Sequence, residues 1–446
     1  MGLRPILLSC LLAALVTVAA CSTAISPEPV VGPPRPYDYT IVNPVAATVV
    51  GTPPGQAAEV PEDINREELR LTVFPDREIP QVFWYADQLQ FTLVYQVGPA
   101  PLIFLVPGSG AGPDSTKSEY LQRALFQGGY HVISLASPAQ PEFVVTASTT
   151  GIAGRAEDDA RDLYRVMQLA YEQVKDRIEV EAFHLAGYSL GAWDAAFVAR
   201  LDAQEKAIGF DQVLMINPPV SLYISAQILD NMLDDNIPGG SGNIGVLLGQ
   251  LINQLAGFYQ QSGELNLRSD YLLYNLYTRL EPSEEELEAL IGLAFRFTSA
   301  NLVFTSDVVT NSGLIVPKNL VLGPASSLTE YFEVSIRTTF IDYFNNLYYP
   351  YFKARDPGIT RQQLIDEASL ESIRDFLATA DHVGLMTNED DIILAPGQID
   401  YLRELFGERA QIWPTGGHVG NLSTRAVTAY VVDYFRHRAD DGGDRS

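Results

Sequence analysis

His184-Leu185-Ala186-Gly187-Tyr188-Ser189-Leu190-Gly191-Ala192-Trp193 is the stretch on which the reading of this chain turns. An apolar run, residues 183–186, leads into Gly187-Tyr188-Ser189-Leu190-Gly191, and a helical stretch over residues 192–201 leads out of it. That order predicts a buried strand, a tight turn and a helix. Ser189 then sits on a strained backbone with its hydroxyl raised above the carboxyl end of a sheet. The two glycines fit because the turn brings their positions against neighbouring backbone. A bare Gly-x-Ser-x-Gly is weak evidence; the strand before it and the helix after it are what give it meaning.

Outward from the elbow, apolar runs alternate with amphipathic ones. Residues 102–106 (LIFLV), 132–135, 213–216 and 383–386 are short and almost wholly apolar, as strands buried on both faces are. Residues 89–97 (LQFTLVYQV) alternate as a half-exposed strand does, and residues 157–174 read as helix. The expected class is α/β, a mainly parallel sheet flanked by helices. Residues 68–218 and 381–437 form its core.

Residues 219–380 break the rhythm and read as a mostly helical cap insertion, too long for a structureless loop. Ile244, Leu247, Leu251, Leu255 and Phe258 recur at helical spacing, as do Phe332, Ile336, Phe340, Phe344 and Leu347. Ser283-Glu284-Glu285-Glu286 and Thr360-Arg361-Gln362-Gln363 are capping boxes that start helices. The aromatic stripes read either as cap core or as the lining of an acyl-binding groove.

A serine hydroxyl needs a base to take its proton, and five histidines allow elimination. His131, His184 and His382 lie in or at the start of expected strands, and His437 lies near the charged tail, residues 438–446. His418 remains, in the Gly-rich loop Thr415-Gly416-Gly417-His418-Val419-Gly420-Asn421 before the last helix. The acid is expected after residues 383–386, within Thr387-Asn388-Glu389-Asp390-Asp391-Ile392. Asp391 is preferred because apolar residues follow it directly; Asp390 is the alternative, and whichever is not the acid caps the next helix. Some hydrolases place the acid instead after the strand expected at residues 213–216. Pro107-Gly108-Ser109-Gly110 follows the strand at residues 102–106, so the N–H groups of Ser109 and Leu190 are the expected oxyanion donors.

These parts, in the order Ser189, Asp391, His418, resemble the α/β-hydrolase superfamily from about residue 68 to 435. Pro107 departs from it, standing where the superfamily often has His; the donor there is backbone, so little depends on it. The resemblance implies a serine hydrolase acting on an acyl bond, most simply a carboxylic ester or a lipid. An acyltransferase, a peptidase or a non-catalytic binding module on the same fold are the alternatives. Neither a metal-ligand cluster nor a dinucleotide fingerprint is legible, so no cofactor is expected.

Both cysteines, Cys10 and Cys21, stand in the first 21 residues of 446. Residues 1–20 carry Arg4, an apolar run and small residues, the pattern of an export signal. Val18-Ala19-Ala20-Cys21 resembles a bacterial lipoprotein box, which implies a lipidated Cys21 and attachment to the cell envelope, at the outer membrane rather than the inner because Ser22 follows. Residues 21–67 begin Pro-rich, as a tether does, although residues 37–50 (YDYTIVNPVAATVV) are apolar enough to strap onto the body. The net charge of −26, from 55 acidic against 29 basic residues, repels phosphate backbones and argues against nucleic-acid binding.

Overall fold

The computed structural model describes residues 36–237, 243–246, 249 and 272–436. The signal segment 1–20, Cys21, the chain up to residue 35, Leu247, Leu251, Leu255, Phe258, His437 and the tail 438–446 lie outside the described residues.

The apolar runs become strands of one eight-stranded sheet: β1 (Arg66–Leu71), β2 (Leu89–Val94), β3 (Ala100–Val106), β4 (His131–Ser134), β5 (Val180–Tyr188), β6 (Gln212–Ile216), β7 (Val383–Asn388) and β8 (Ala410–Trp413). Their spatial order is β1-β2-β4-β3-β5-β6-β7-β8. The β1–β2 and β2–β4 pairings are antiparallel, and every pairing from β4 to β8 is parallel. This is the α/β-hydrolase fold.

Period-two alternation sorts the strand residues between two cores. Leu102, Phe104, Val106, Leu185 and Met215 face the helices Ala156–Val174 and Leu190–Glu205. Ile103, Leu105, Ala186, Leu214 and Ile216 face Thr116–Gln127 and Arg425–Tyr434. With helices on both faces, the central strands have no polar side to show. That also corrects the half-exposed strand expected at residues 89–97. The strand ends at Val94, and Leu89, Phe91, Thr92, Leu93 and Val94 are all buried, because β2 lies inside the sheet between β1 and β4.

Between β6 and β7 stand Leu222–Asp234, Leu272–Leu280 and the long helix Glu284–Thr310, which the Ser283–Glu286 capping box opens. By length and composition alone the long helix could cross a bilayer. Yet Arg296 at its middle is fully buried, with Nε and Nη2 donating to Asp230 Oδ1 at 3.0 and 2.9 Å. An ion pair to a neighbouring helix, and packing against that helix, identify it as the core of the cap. The second expected stripe is not one continuous helix. Thr329–Ser335 ends, Thr339 and Asp342 form a new capping box, and Phe340–Tyr343 begins a new helical segment. The two pieces serve different clusters: Ile336 packs with Leu233 and Leu293, whereas Phe344 and Leu347 join Val303, Tyr343 and Phe352.

A short helix, Pro44–Val50, lies ahead of the sheet, with Asn43 as its cap accepting from Ala46 N–H at 2.8 Å and Pro44 at its first position. Its buried residues Val45, Ala46, Ala47 and Val50 meet Leu287 of the long cap helix.

His184 on β5 gives the sheet a pH signature. Its ring lies against Phe435, centroids 5.3 Å apart, and burial pushes its pKa down to about 4. The unfolded chain therefore takes up a proton near pH 6.5 that the folded one refuses until about pH 4. Stability present above pH 6.5 is lost as pH falls through that window, by about 3 kcal/mol. Asp162, pushed up to about 6 by burial, works in the opposite direction between pH 6 and 4. The difference between wild type and His184→Leu isolates the histidine: urea unfolding at pH 7 and pH 4 should show a smaller acid-side loss in the variant. Equal losses would mean that His184 titrates normally.

Candidate active site

Ser189 stands between β5 and the helix Leu190–Glu205 at φ +56°, ψ −125°, a conformation that L-residues rarely adopt. Its N–H donates to Ile216 O at 2.9 Å, which ties the elbow to β6. The glycines at either side are there for space. A Cβ on Gly187 would stand 2.0 Å from Gly191 O, and one on Gly191 would stand 2.2 Å from Val106 O. Any side chain at either position would force the elbow open.

His418 Nε2 lies 2.8 Å from Ser189 Oγ, and His418 Nδ1 lies 3.0 and 3.2 Å from the two oxygens of Asp391. The Asp391 side chain is wholly buried, while that of His418 keeps 13% exposure, enough for water to arrive at the ring. Asp391 also accepts from Ile393 N–H at 3.2 Å and from Asn217 Nδ2 at 2.8 Å. The carboxylate is thus held by three donors, of which the imidazole is one.

Asp390 turns away. Its oxygens accept from Gly416 N–H at 3.2 Å and Gly417 N–H at 2.9 Å, and burial pushes its pKa up. It caps no helix, which corrects the role expected for the second carboxylate: the next helix, Gln398–Phe406, starts from Gly397 with no side-chain cap. Asp390 instead anchors the histidine loop.

The loop after β3 lies against the elbow, since a Cβ on Gly108 would stand 3.1 Å from Ser189 Cβ. Gly108 is thus beside the serine, with Ser109 the next residue of that loop and Leu190 the first of the elbow helix. Leu190 N–H has no intrahelical acceptor by helix geometry, and the positive end of that helix points at the same place. From the other side, Gly110 abuts Thr298 of the long cap helix.

The other described histidines lie elsewhere. His131 accepts from Gln96 N–H in the body at 3.1 Å, His184 is buried on β5, and His382 precedes β7. Asn217 and the N-terminal helix were missed by sequence reasoning. Asn217 occupies the position after β6 where a carboxylate was the alternative; it supplies an amide to Asp391 instead. Its signal was its place directly after an apolar run. The N-terminal helix was announced by Asn43-Pro44, a cap followed by proline.

No protein-family model matches the sequence, and neither does any curated protein. Among solved structures, the chain is similar to a putative lipase from Acinetobacter baumannii AYE, at 14% identity and a TM-score of 0.39, over 84% of this chain and 93% of the other. It is similar to esterase B from Lactobacillus Rhamnosis, at 12% identity and a TM-score of 0.40, over 85% and 86%. It is also similar to the thioesterase domain from the curacin biosynthetic pathway, at 13% identity and a TM-score of 0.37, over 83% and 99%. What the site does has to be read from its own geometry.

Proposed function

We propose that the protein is a serine hydrolase that cleaves a carboxylic ester through an acyl-enzyme on Ser189. The observation that carries this is the unbroken line Asp391–His418–Ser189, with links of 3.0 and 2.8 Å, ending on a strained elbow. His418 Nε2 takes the hydroxyl proton as Ser189 Oγ attacks the carbonyl carbon, and Asp391 holds the proton-bearing Nδ1 and supports the cation that forms. The N–H groups of Ser109 and Leu190 receive the charge developing on the carbonyl oxygen. His418 then gives its proton to the leaving alcohol. A water, deprotonated by the same imidazole, releases the acid and restores the serine.

The acyl group is assigned to an apolar groove under the cap. On the same helix as Thr298, Asn301 and Phe304 line a cavity of about 180 Å³ with Phe83, Leu328 and Phe332. The test is labelling by a fluorophosphonate and turnover of p-nitrophenyl esters from acetyl upward, wild type beside Ser189→Ala. Labelling that persists in Ser189→Ala would remove the assignment, and a preference for acetyl over every longer chain would remove the groove.

Attachment to the cell envelope through a lipidated Cys21 belongs to the same proposal, supported by the sequence around the cysteine. Mass spectrometry of membrane-extracted protein should find an N-terminus at Cys21 with added acyl mass. Cys21→Ser should remain unprocessed or become soluble. An unmodified Cys21 in mature membrane-associated protein would exclude the anchor.

A further inference from the structure

The loop that carries His418 does not hold its own shape. Gly417 at φ +55° precedes the histidine and Val419 at φ +53° follows it, the latter a β-branched residue in a region such residues avoid. Backbone of this kind persists only where its surroundings over-determine it. Part of the restraint comes from the end of β7, where Asn388 Nδ2 donates to Gly417 O at 2.7 Å and Asp390 receives the two glycine N–H groups.

The rest comes from the other end of the chain. Thr48, on the helix Pro44–Val50, donates its hydroxyl hydrogen to Pro44 O at 2.8 Å. That fixes the rotor, and the oxygen is left to accept the main-chain N–H of His418, also at 2.8 Å. The contact is intimate: a Cβ on Gly417 would stand 2.2 Å from Pro44 O and 2.5 Å from Thr48 Oγ1. Next to it, Thr52 Oγ1 donates to Gly420 O at 3.1 Å, so the segment grips the loop on both sides of the histidine. The helix is itself fixed, by its buried apolar residues against the cap and by Asp38, which pairs with Arg425 at 2.7 Å.

We infer that Thr48 is a positioning residue for the reaction: by holding the N–H of His418 it sets the imidazole between Ser189 and Asp391. The inference rests on the serine-hydrolase reading. The His418 ring has one partner on each nitrogen, so a shift of its main chain lengthens one link or the other. A misplacement of about 1 Å at a reacting group can cost on the order of 10²-fold in rate. Thr48→Val keeps the shape and the packing of the helix but offers His418 no acceptor, so the N–H must turn towards water and take the ring with it. Thr48 Oγ1 is already engaged by Pro44 O and the His418 N–H, so the loss belongs in kcat and not in KM.

The test compares Thr48→Val, Thr48→Ala and Thr48→Ser with wild type in the full chain. The ester assay supplies kcat and KM, and active-site titration normalises turnover to folded, competent protein. Both Thr48→Val and Thr48→Ala should lose about 10- to 100-fold in kcat with KM within about two-fold, and Thr48→Ser should return to within about three-fold of wild type. Normal kcat per active site in Thr48→Val or Thr48→Ala overturns the inference. So does a loss that Thr48→Ser shares, because the contribution would then be packing and not the hydroxyl. Ser189→Ala in the same series separates the two ideas: if it still turns over, the triad reading has failed, whatever Thr48 does.

Discussion

Ser189→Ala should lose fluorophosphonate labelling altogether and lower ester turnover by about 10⁶-fold, the scale of loss when a triad nucleophile is removed. His418→Ala should lose as much. The double variant should be no worse than either single one, because the hydroxyl and the imidazole act as one device: without the base, the serine at 2.8 Å keeps its proton. Stability should barely change in Ser189→Ala. The alanine inherits the φ of +56° with little new strain, and the imidazole it leaves behind is partly exposed, so water can satisfy Nε2. A variant set in which Ser189→Ala retains wild-type turnover, or in which the double loss is the product of the single ones, would contradict a coupled nucleophile and base.

The sequence made the elbow legible because every force there is local. A buried run, two glycines and a helix fix Ser189 within about ten residues of chain. Hydrophobic periodicity also placed the central strands, although β2 lost its expected exposed face once helices covered both sides of the sheet. The support of the histidine loop was hidden for the opposite reason. Thr48 and His418 are 370 residues apart, and Asn217 and Asp391 are 174 apart. Each contact is a single hydrogen bond, which leaves no periodic trace in either segment. The helix that presents Thr48 was readable from Asn43-Pro44; its seat on the loop was not. The roles of the two adjacent aspartates fall in the same category, since neighbouring side chains at a strand end diverge by geometry that no pattern of residue types records.

That divergence defines the second large effect. In Asp391→Asn the new side chain has one carbonyl oxygen where the carboxylate had two, and three donors already point at it: His418 Nδ1, Asn217 Nδ2 and Ile393 N–H. Whichever way the amide turns, its NH₂ faces one of them. With the NH₂ towards His418, the imidazole is relieved by moving its proton to Nε2, where it can no longer accept from Ser189. Turnover should therefore fall by up to about 10⁴-fold, with the fold kept. Asp390→Asn works differently. Its two oxygens hold Gly416 and Gly417 N–H, and an amide can satisfy only one, leaving the N–H of a buried glycine unpaired at a cost of about 1–3 kcal/mol. The melting temperature should drop, and kcat should fall by roughly ten-fold as the loop loosens around His418. Assaying both variants for turnover and for thermal unfolding separates a carboxylate that orients the base from one that orients the loop. A loss near 10⁴-fold in Asp390→Asn beside near-normal activity in Asp391→Asn would reverse the two roles.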